Sequence, residues 1–475
     1  MRLLLLTLAA CTHDPEGGDW MPHAAIVSDP ALTALPDRQV PPPQPLRAPG
    51  DRPDVTVYGY WPYWGDNLDT LMWDQLTHVA IFNVDLNPDG TLSQTQRWHN
   101  VAAQAMSLAA PYGVRVHLCM TSFSDATTNA VLSSAAYRAT AINQLAALVN
   151  QYGAHGVNID IEGLDYAQKA NFVTFVREAN ARFDDVFVAM PAVDWSGAFD
   201  YDQIALNSDG LFIMGYGYHW TGGNPGPNAP LYGGAPWGVH SLSWTVDDYR
   251  TWGAPDDTLV LGLPLYGNDW PSTGTNVPGT ATGTGSAAVY TSAVATARAH
   301  GRRYDTGTET PYTFPSSTRQ LWYDDAESLA AKIQYAVDEG IQGVGFWALT
   351  YDDADPVLWQ AIDAITHTGP TGPAVVALTP GTAGVINTIR VEGAAANAQL
   401  TVVAGYRPGS TAVPGCAGLS LPYTRPIVLG SLSANAAGQA SFNLLIPRAA
   451  AGLTLQLHAV DTSRCQMGAG FSEAL

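Results

Sequence analysis

Eight short apolar runs, separated by longer amphipathic stretches, constrain this chain more than any other feature. They are Val57–Trp61, Val79–Asn83, Val114–Leu118, His155–Gly163, Val186–Ala192, Leu211–Tyr216, Leu259–Gly267 and Gly343–Trp347. Helical patterns such as Ala136 to Tyr152, Tyr166 to Arg182 and Ser328 to Glu339 lie between them. Parallel strands need a crossover between neighbours and are covered on both faces, so they read as nearly continuous apolar segments alternating with helices. Eight such units within residues 55–368 fit a closed (β/α)8 barrel of the α/β class better than an open sheet.

The run His155-Gly156-Val157-Asn158-Ile159-Asp160-Ile161-Glu162-Gly163 carries the chemistry. Side chains alternate along a strand, so Asn158, Asp160 and Glu162 share one side and Val157, Ile159 and Ile161 the other. Two carboxyls this close repel when both are ionised, which raises a pKa and suits a proton donor near neutral pH. Asp and Glu after a strand also cap helices, which is the plain structural alternative. In a barrel, however, the active site gathers where strands end. Trp61, Tyr63, Trp64, Asp160, Glu162, Asp194, Trp195, Tyr216, Trp220 and Trp347 all fall at such ends.

Glu162, at the strand's end, is the natural acid of the pair. Asp160 is poorly placed as an opposing nucleophile. Residues two apart on one strand sit about 7 Å apart at the backbone and point the same way, whereas a flanking pair would come from different strands.

With Gly156, Asp160 and Glu162 in place, the segment resembles the Asp-Gly-x-Asp-x-Asp-x-Glu fourth strand of glycoside hydrolase family 18, the chitinase-like TIM barrels. The resemblance covers residues 55 to 368. Asn158 is similar to the variant found in the spore-lytic, peptidoglycan-active branch, while His155 departs from the motif. Met214-Gly215-Tyr216-Gly217 lacks the acid of the family's Met-x-Tyr-Asp, and Met120-Thr121-Ser122-Phe123 replaces its Ser-x-Gly-Gly. The resemblance implies substrate-assisted hydrolysis with retention. The substrate's 2-acetamido oxygen is then the nucleophile, an oxazolinium forms, Asp160 holds the acetamido N–H, Tyr216 donates to its oxygen, and Asn158 supports Asp160. It further implies that Tyr60, Trp61, Asp194, Met214 and Trp347 bind substrate, Trp347 as the floor under the sugar. Substrates would carry N-acetylglucosamine, as chitin and peptidoglycan do. The Gly/Pro-rich loop Asn224 to Pro230 is expected to wall the groove.

Charge narrows the partners. Lys+Arg 21 against Asp+Glu 42 gives a net charge of -21, which disfavours nucleic acid and leaves a neutral glycan open. No metal-ligand spacing or phosphate-binding glycine loop is present, so no cofactor is expected, and a monomer is. Arg2, the apolar stretch Leu3 to Ala10 and Leu8-Ala9-Ala10-Cys11 resemble a bacterial lipoprotein signal over residues 1–11. That resemblance implies lipidation of Cys11, a membrane anchor, and an exported envelope protein at the outer membrane or cell surface. Residues 12–54 hold ten prolines and read as an extended tether. Cys119 reads as a buried free thiol. Cys416 and Cys465 suit a disulfide in an oxidising compartment. After a linker at 369–372, residues 373–475 contain short β-rich runs that suggest a β-sandwich-like accessory domain. All fourteen tryptophans precede residue 360, so that domain is poorly supplied with stacking platforms and reads as a spacer or display module. Two other functions compete with hydrolysis: a chitin- or peptidoglycan-binding lectin on the same barrel, and a structural envelope protein whose C-terminal domain carries the role.

Overall fold

The structure is a computed structural model, and it describes residues 22–34, 40–47, 52–367, 372–416, 419–468 and 471–475. The signal segment with Cys11, and nearly all of the linker, lie outside the described residues. Among the described residues no helix is long and apolar enough to cross a membrane.

Eight parallel strands form the barrel: β1 (Thr56–Pro62), β2 (His78–Leu86), β3 (Arg115–Ser122), β4 (Gly156–Ile161), β5 (Val186–Pro191), β6 (Gly210–Met214), β7 (Leu259–Pro264) and β8 (Gly343–Trp347). They pair in chain order, and β1 pairs with both β2 and β8, so the sheet is closed. Each expected run overlaps one of these strands. The seventh run divides, with β7 ending at Pro264 and an antiparallel strand, Tyr266–Pro271, following at once. That strand opens a five-stranded antiparallel excursion inserted before β8, which the sequence reading did not foresee.

Local chemistry explains the element ends. Ser134 caps the helix Ala135–Tyr152 by accepting from the Tyr137 amide, and Gly153 ends it at φ 67°. Gly156 opens β4 because a Cβ there would lie 2.0 Å from the Asp185 carbonyl oxygen. Inside the barrel, Tyr58 stacks on Phe187 at 4.9 Å and Phe212 meets Tyr60 edge-on at 4.8 Å. At the end where strands begin, Asp185 takes hydrogen bonds from the His117 ring (2.9 Å) and from the Arg115 guanidinium. His155 lies at this end too, its Nδ1 accepting from the Val116 amide at 2.9 Å.

The C-terminal region is β-rich and antiparallel. It contains a three-stranded sheet, a five-stranded sheet and a two-stranded hairpin, with its own core around Ile389, Val391, Leu400, Val402 and Leu457. A disulfide joins Cys416 to Cys465, and Cys119 is free and buried.

The expected tether differs from its description. Within residues 12–54, Pro22–Val27 forms α1 and Pro30–Thr33 forms α2. Farther along, the amides of Leu46 and Arg47 donate to Asp74 Oδ2, and Arg47 pairs with Asp363 at 2.6 Å. The apolar residues scattered among the prolines cause this: Ile26 and Leu32 are buried in the barrel's core cluster.

Candidate active site

The alternation of β4 places Asn158 and Asp160 on the barrel's interior side, with Glu162 immediately beyond the strand; all three are buried. The Glu162 amide donates to the Ser122 carbonyl at 3.1 Å, which extends the ladder and fixes the direction of its side chain. Asn158 Oδ1 faces the Cys119 thiol at 3.3 Å. β6 carries Met214, with Tyr216 two residues on; Tyr216 is 1 % exposed. β8 ends in Trp347, whose ring meets Phe82 at 4.8 Å and Tyr60 at 5.3 Å.

One residue that the sequence reading missed joins these groups. His23, in α1, lies among them and is wholly buried. Its Nδ1 is 2.7 Å from Asp160 Oδ2 and its Nε2 is 2.5 Å from the Tyr216 hydroxyl. Its ring stacks on Trp347 with 3.8 Å between centroids. The backbone amides of His23 and Ala24 donate to Glu162 Oε1 (2.9 Å) and Oε2 (3.1 Å). The sequence signal was faint: Asp29-Pro30 is an N-cap followed by proline at the first helical position, flanked by isolated apolar residues.

Burial dominates the electrostatics. It pushes the Glu162 carboxyl up to about 8, with the Asp160 charge adding to the effect and His23 opposing it. Glu162 is therefore protonated at neutral pH and can give up a proton. Burial also raises Asp160 well above the carboxylate range and brings His23 down to about 4, so it disfavours charge on both. Among the described residues, four buried polar atoms here have no hydrogen-bond partner: Tyr60 OH, Asn158 Nδ2, Asp160 Oδ1 and Trp347 Nε1. Each such group costs about 1–3 kcal/mol unless something satisfies it, which marks a site built to receive a polar ligand.

Beside Glu162 a cavity is lined by Asp194, Trp195, Phe199 and Met214. Asp194 spends its carboxylate on its own loop, accepting from Ser196 Oγ (2.8 Å) and from the Phe199 amide (2.9 Å). Trp195 is exposed on the rim. Trp61 departs from expectation. It lies on the opposite strand face from Tyr58 and Tyr60, is buried, and gives its indole N–H to the Asp66 carbonyl at 2.8 Å, so it packs the shell. The loop Asn224 to Pro230 departs as well: residues 225–230 are buried rather than lining an open groove.

Among the described residues two groups of side chains lie close enough to hold an ion, His23 with Asp160 and Glu162, and His78 with His117 and Asp185. Protein donors already occupy both. The Arg115 guanidinium sits on Asp185, and peptide amides cover both Glu162 oxygens.

Residues 56–352 match glycosyl hydrolases family 18. The chain belongs to that family. It is 26% identical over 288 residues to the putative sporulation-specific glycosylase YdhD of Bacillus subtilis, an alignment covering 57% of this chain and 65% of the relative. A probable endochitinase of Caenorhabditis elegans is 30% identical over 268 residues, covering 49% and 42%. The cortical fragment-lytic enzyme of Bacillus subtilis is 23% identical over 292 residues, covering 58% and 64%. The chain thus spans less than two thirds of the length of these relatives. In fold it is similar to a Group IV chitinase of Ostrinia furnacalis solved with allosamidin, with a TM-score of 0.60, 19% identity and coverage of 66% of this chain and 98% of that one.

Two of the departures from the family-18 motifs, His155 and Gly217, have a local structural setting. His155 bonds a neighbouring strand's backbone at the barrel's far end, away from Glu162. Gly217 adopts φ 82°, where a side chain is strained, and its amide donates to Asn228 Oδ1 at 2.9 Å. Asn228 is fully buried, and its amide group faces the Tyr266 carbonyl at 3.3 Å. A buried asparagine thus stands next to the position where the family's acid is missing.

Proposed function

We propose that this protein hydrolyses β-1,4 bonds next to N-acetylglucosamine in chitin or peptidoglycan glycan, with retention and with the substrate's acetamido group as nucleophile. One observation carries this reading. Asp160 and Tyr216 together grip a single flat group, one at each of its polar atoms, directly over the Trp347 ring, with Glu162 alongside. An acetamido group presents a donor N–H and an acceptor oxygen of the same kind. Held there, its oxygen lies under the anomeric carbon and attacks as Glu162 passes its proton to the departing oxygen. Glu162, now a carboxylate, draws a proton from water as the water opens the oxazolinium, so the product keeps its anomeric configuration. The spacing of Asp160 and Glu162 along one strand supports this route, because the two cannot flank a bond.

The test is release of reducing ends from N-acetylglucosamine oligomers and from purified sacculi, with the product anomer read by proton NMR. Glu162→Gln should lower kcat by at least three orders of magnitude while oligomer binding persists. Equal inactivity of wild type, His23→Ala and Glu162→Gln, with oligomer still bound, would refute hydrolysis and point to a lectin.

A further inference from the structure

We propose that residues 22–34 are a tethered inhibitor of the barrel's own active site, with His23 seated where the acetamido-bearing sugar goes. The identity of the displaced sugar rests on the glycosidase reading, while the occlusion rests on geometry alone.

The segment engages Asp160, Tyr216, Trp347 and Glu162 at once. The imidazole presents two ring nitrogens to Asp160 and Tyr216, as an acetamido group would present N–H and oxygen, and it lies on Trp347 in van der Waals contact. No sugar ring fits between them. Two peptide amides occupy both oxygens of Glu162, so its carboxyl is turned to the segment instead of to a glycosidic oxygen. An ion in this cluster would have to displace those amides, which makes peptide the better-fitted occupant.

The docking extends well beyond the histidine. Ile26 and Leu32 enter the barrel's core cluster. The Tyr351 hydroxyl donates to the Leu32 carbonyl at 3.2 Å, and the Ala287 amide donates to Asp29 Oδ2 at 3.3 Å. Asp29 also caps α2 by accepting from the Ala31 amide at 2.9 Å. The segment is therefore latched to the antiparallel excursion and to the loop after β8, elements that frame the mouth of the barrel. Segment and substrate exclude one another, so turnover requires the segment to leave.

A tethered competitor has a kinetic signature that a structural strap lacks. It lowers the fraction of open sites, so the apparent KM rises in proportion while kcat at saturation is untouched. At an effective concentration of about 1 mM, a segment affinity of about 0.1 mM raises KM roughly tenfold.

The experiment compares full-length wild type, His23→Ala and Ile26→Asp on an N-acetylglucosamine tetramer. Tetramer binding to each is also measured by calorimetry in the Glu162→Gln background. We expect KM to fall at least tenfold in both variants with kcat within about twofold, and the tetramer to bind at least tenfold more tightly. A synthetic peptide of residues 22–34 should inhibit the His23→Ala chain competitively, and the same peptide with alanine at position 23 should not. Tighter binding without turnover in any chain would sustain the inhibitor and overturn the hydrolase. Unchanged KM and affinity in both variants, or no tetramer binding by any chain, would overturn the inhibitor.

Discussion

In the proposed mechanism, replacing Asp160 by asparagine separates two jobs of one carboxyl, holding the acetamido N–H and raising the pKa of Glu162. Asp160 is wholly buried and makes a 2.7 Å hydrogen bond to the His23 ring, in the place the acetamido group takes in turnover. Losing one partner of a buried hydrogen bond costs about 1–3 kcal/mol. At about 1.36 kcal/mol per decade this lowers kcat by roughly one to two orders of magnitude. The pH profile carries the second signature. In that mechanism Glu162 acts as an acid, so rate is lost as pH rises through its pKa, which, with the segment docked, burial first and Asp160 second lift from 4.5 to about 8. Asparagine removes only the second cause. The alkaline limb should therefore move toward acid yet stay above the ordinary glutamate range. Both carboxyls are raised by burial, so the wild-type limb belongs to the pair. Stopped assays of kcat/KM from neutral to alkaline pH read both effects. A large loss of kcat with an unmoved limb would refute the coupling, and an unaffected kcat would refute the positioning role.

Two further substitutions probe the scaffold. Lys332 Nζ pairs with Asp324 Oδ1, both side chains fully buried; Lys332→Met should destabilise the barrel by about 3–5 kcal/mol in urea unfolding, and adding Asp324→Leu should recover most of it. If the single change is neutral, the pair is not shielded from water. His155→Ala removes the acceptor of the Val116 amide and should cost about 1 kcal/mol of stability with kcat unchanged. A tenfold fall in kcat would mean that the motif position does reach the chemistry.

The barrel was legible because its signals are local. The strands are short apolar runs, most crossovers carry a 3.6-residue pattern, and the carboxylate face of β4 follows from alternation alone. Gln168, expected inside one continuous helix from Tyr166 to Arg182, instead joins a 3-10 turn to the helix Lys169–Asn180. Errors came where alternation was ignored or composition was trusted. Trp61 follows Tyr60 directly, so one of the two had to face away from the interior, and the buried indole is the one that does. Proline-rich residues before the barrel suggested an extended chain, yet two well-spaced apolar residues and an Asp-Pro cap were enough to seat two short helices. The loop before Pro230 looked like a solvent wall because glycine and proline dominate it, although its Asn228 is buried against Gly217.

What the amino-acid order determines by itself is therefore the closed sheet and the pair of acids at the end of its fourth strand, since neighbouring residues alone set period and face. Only tertiary structure decides what meets those acids. Tyr216 arrives from a strand two positions around the barrel and Trp347 from the last one. His23 comes from 137 residues before Asp160 and 193 before Tyr216. Closing loops of that length costs little more entropy than closing shorter ones. No short-range pattern records such a contact, and it exists because burial of Ile26 and Leu32 and four hydrogen bonds converge on one pocket.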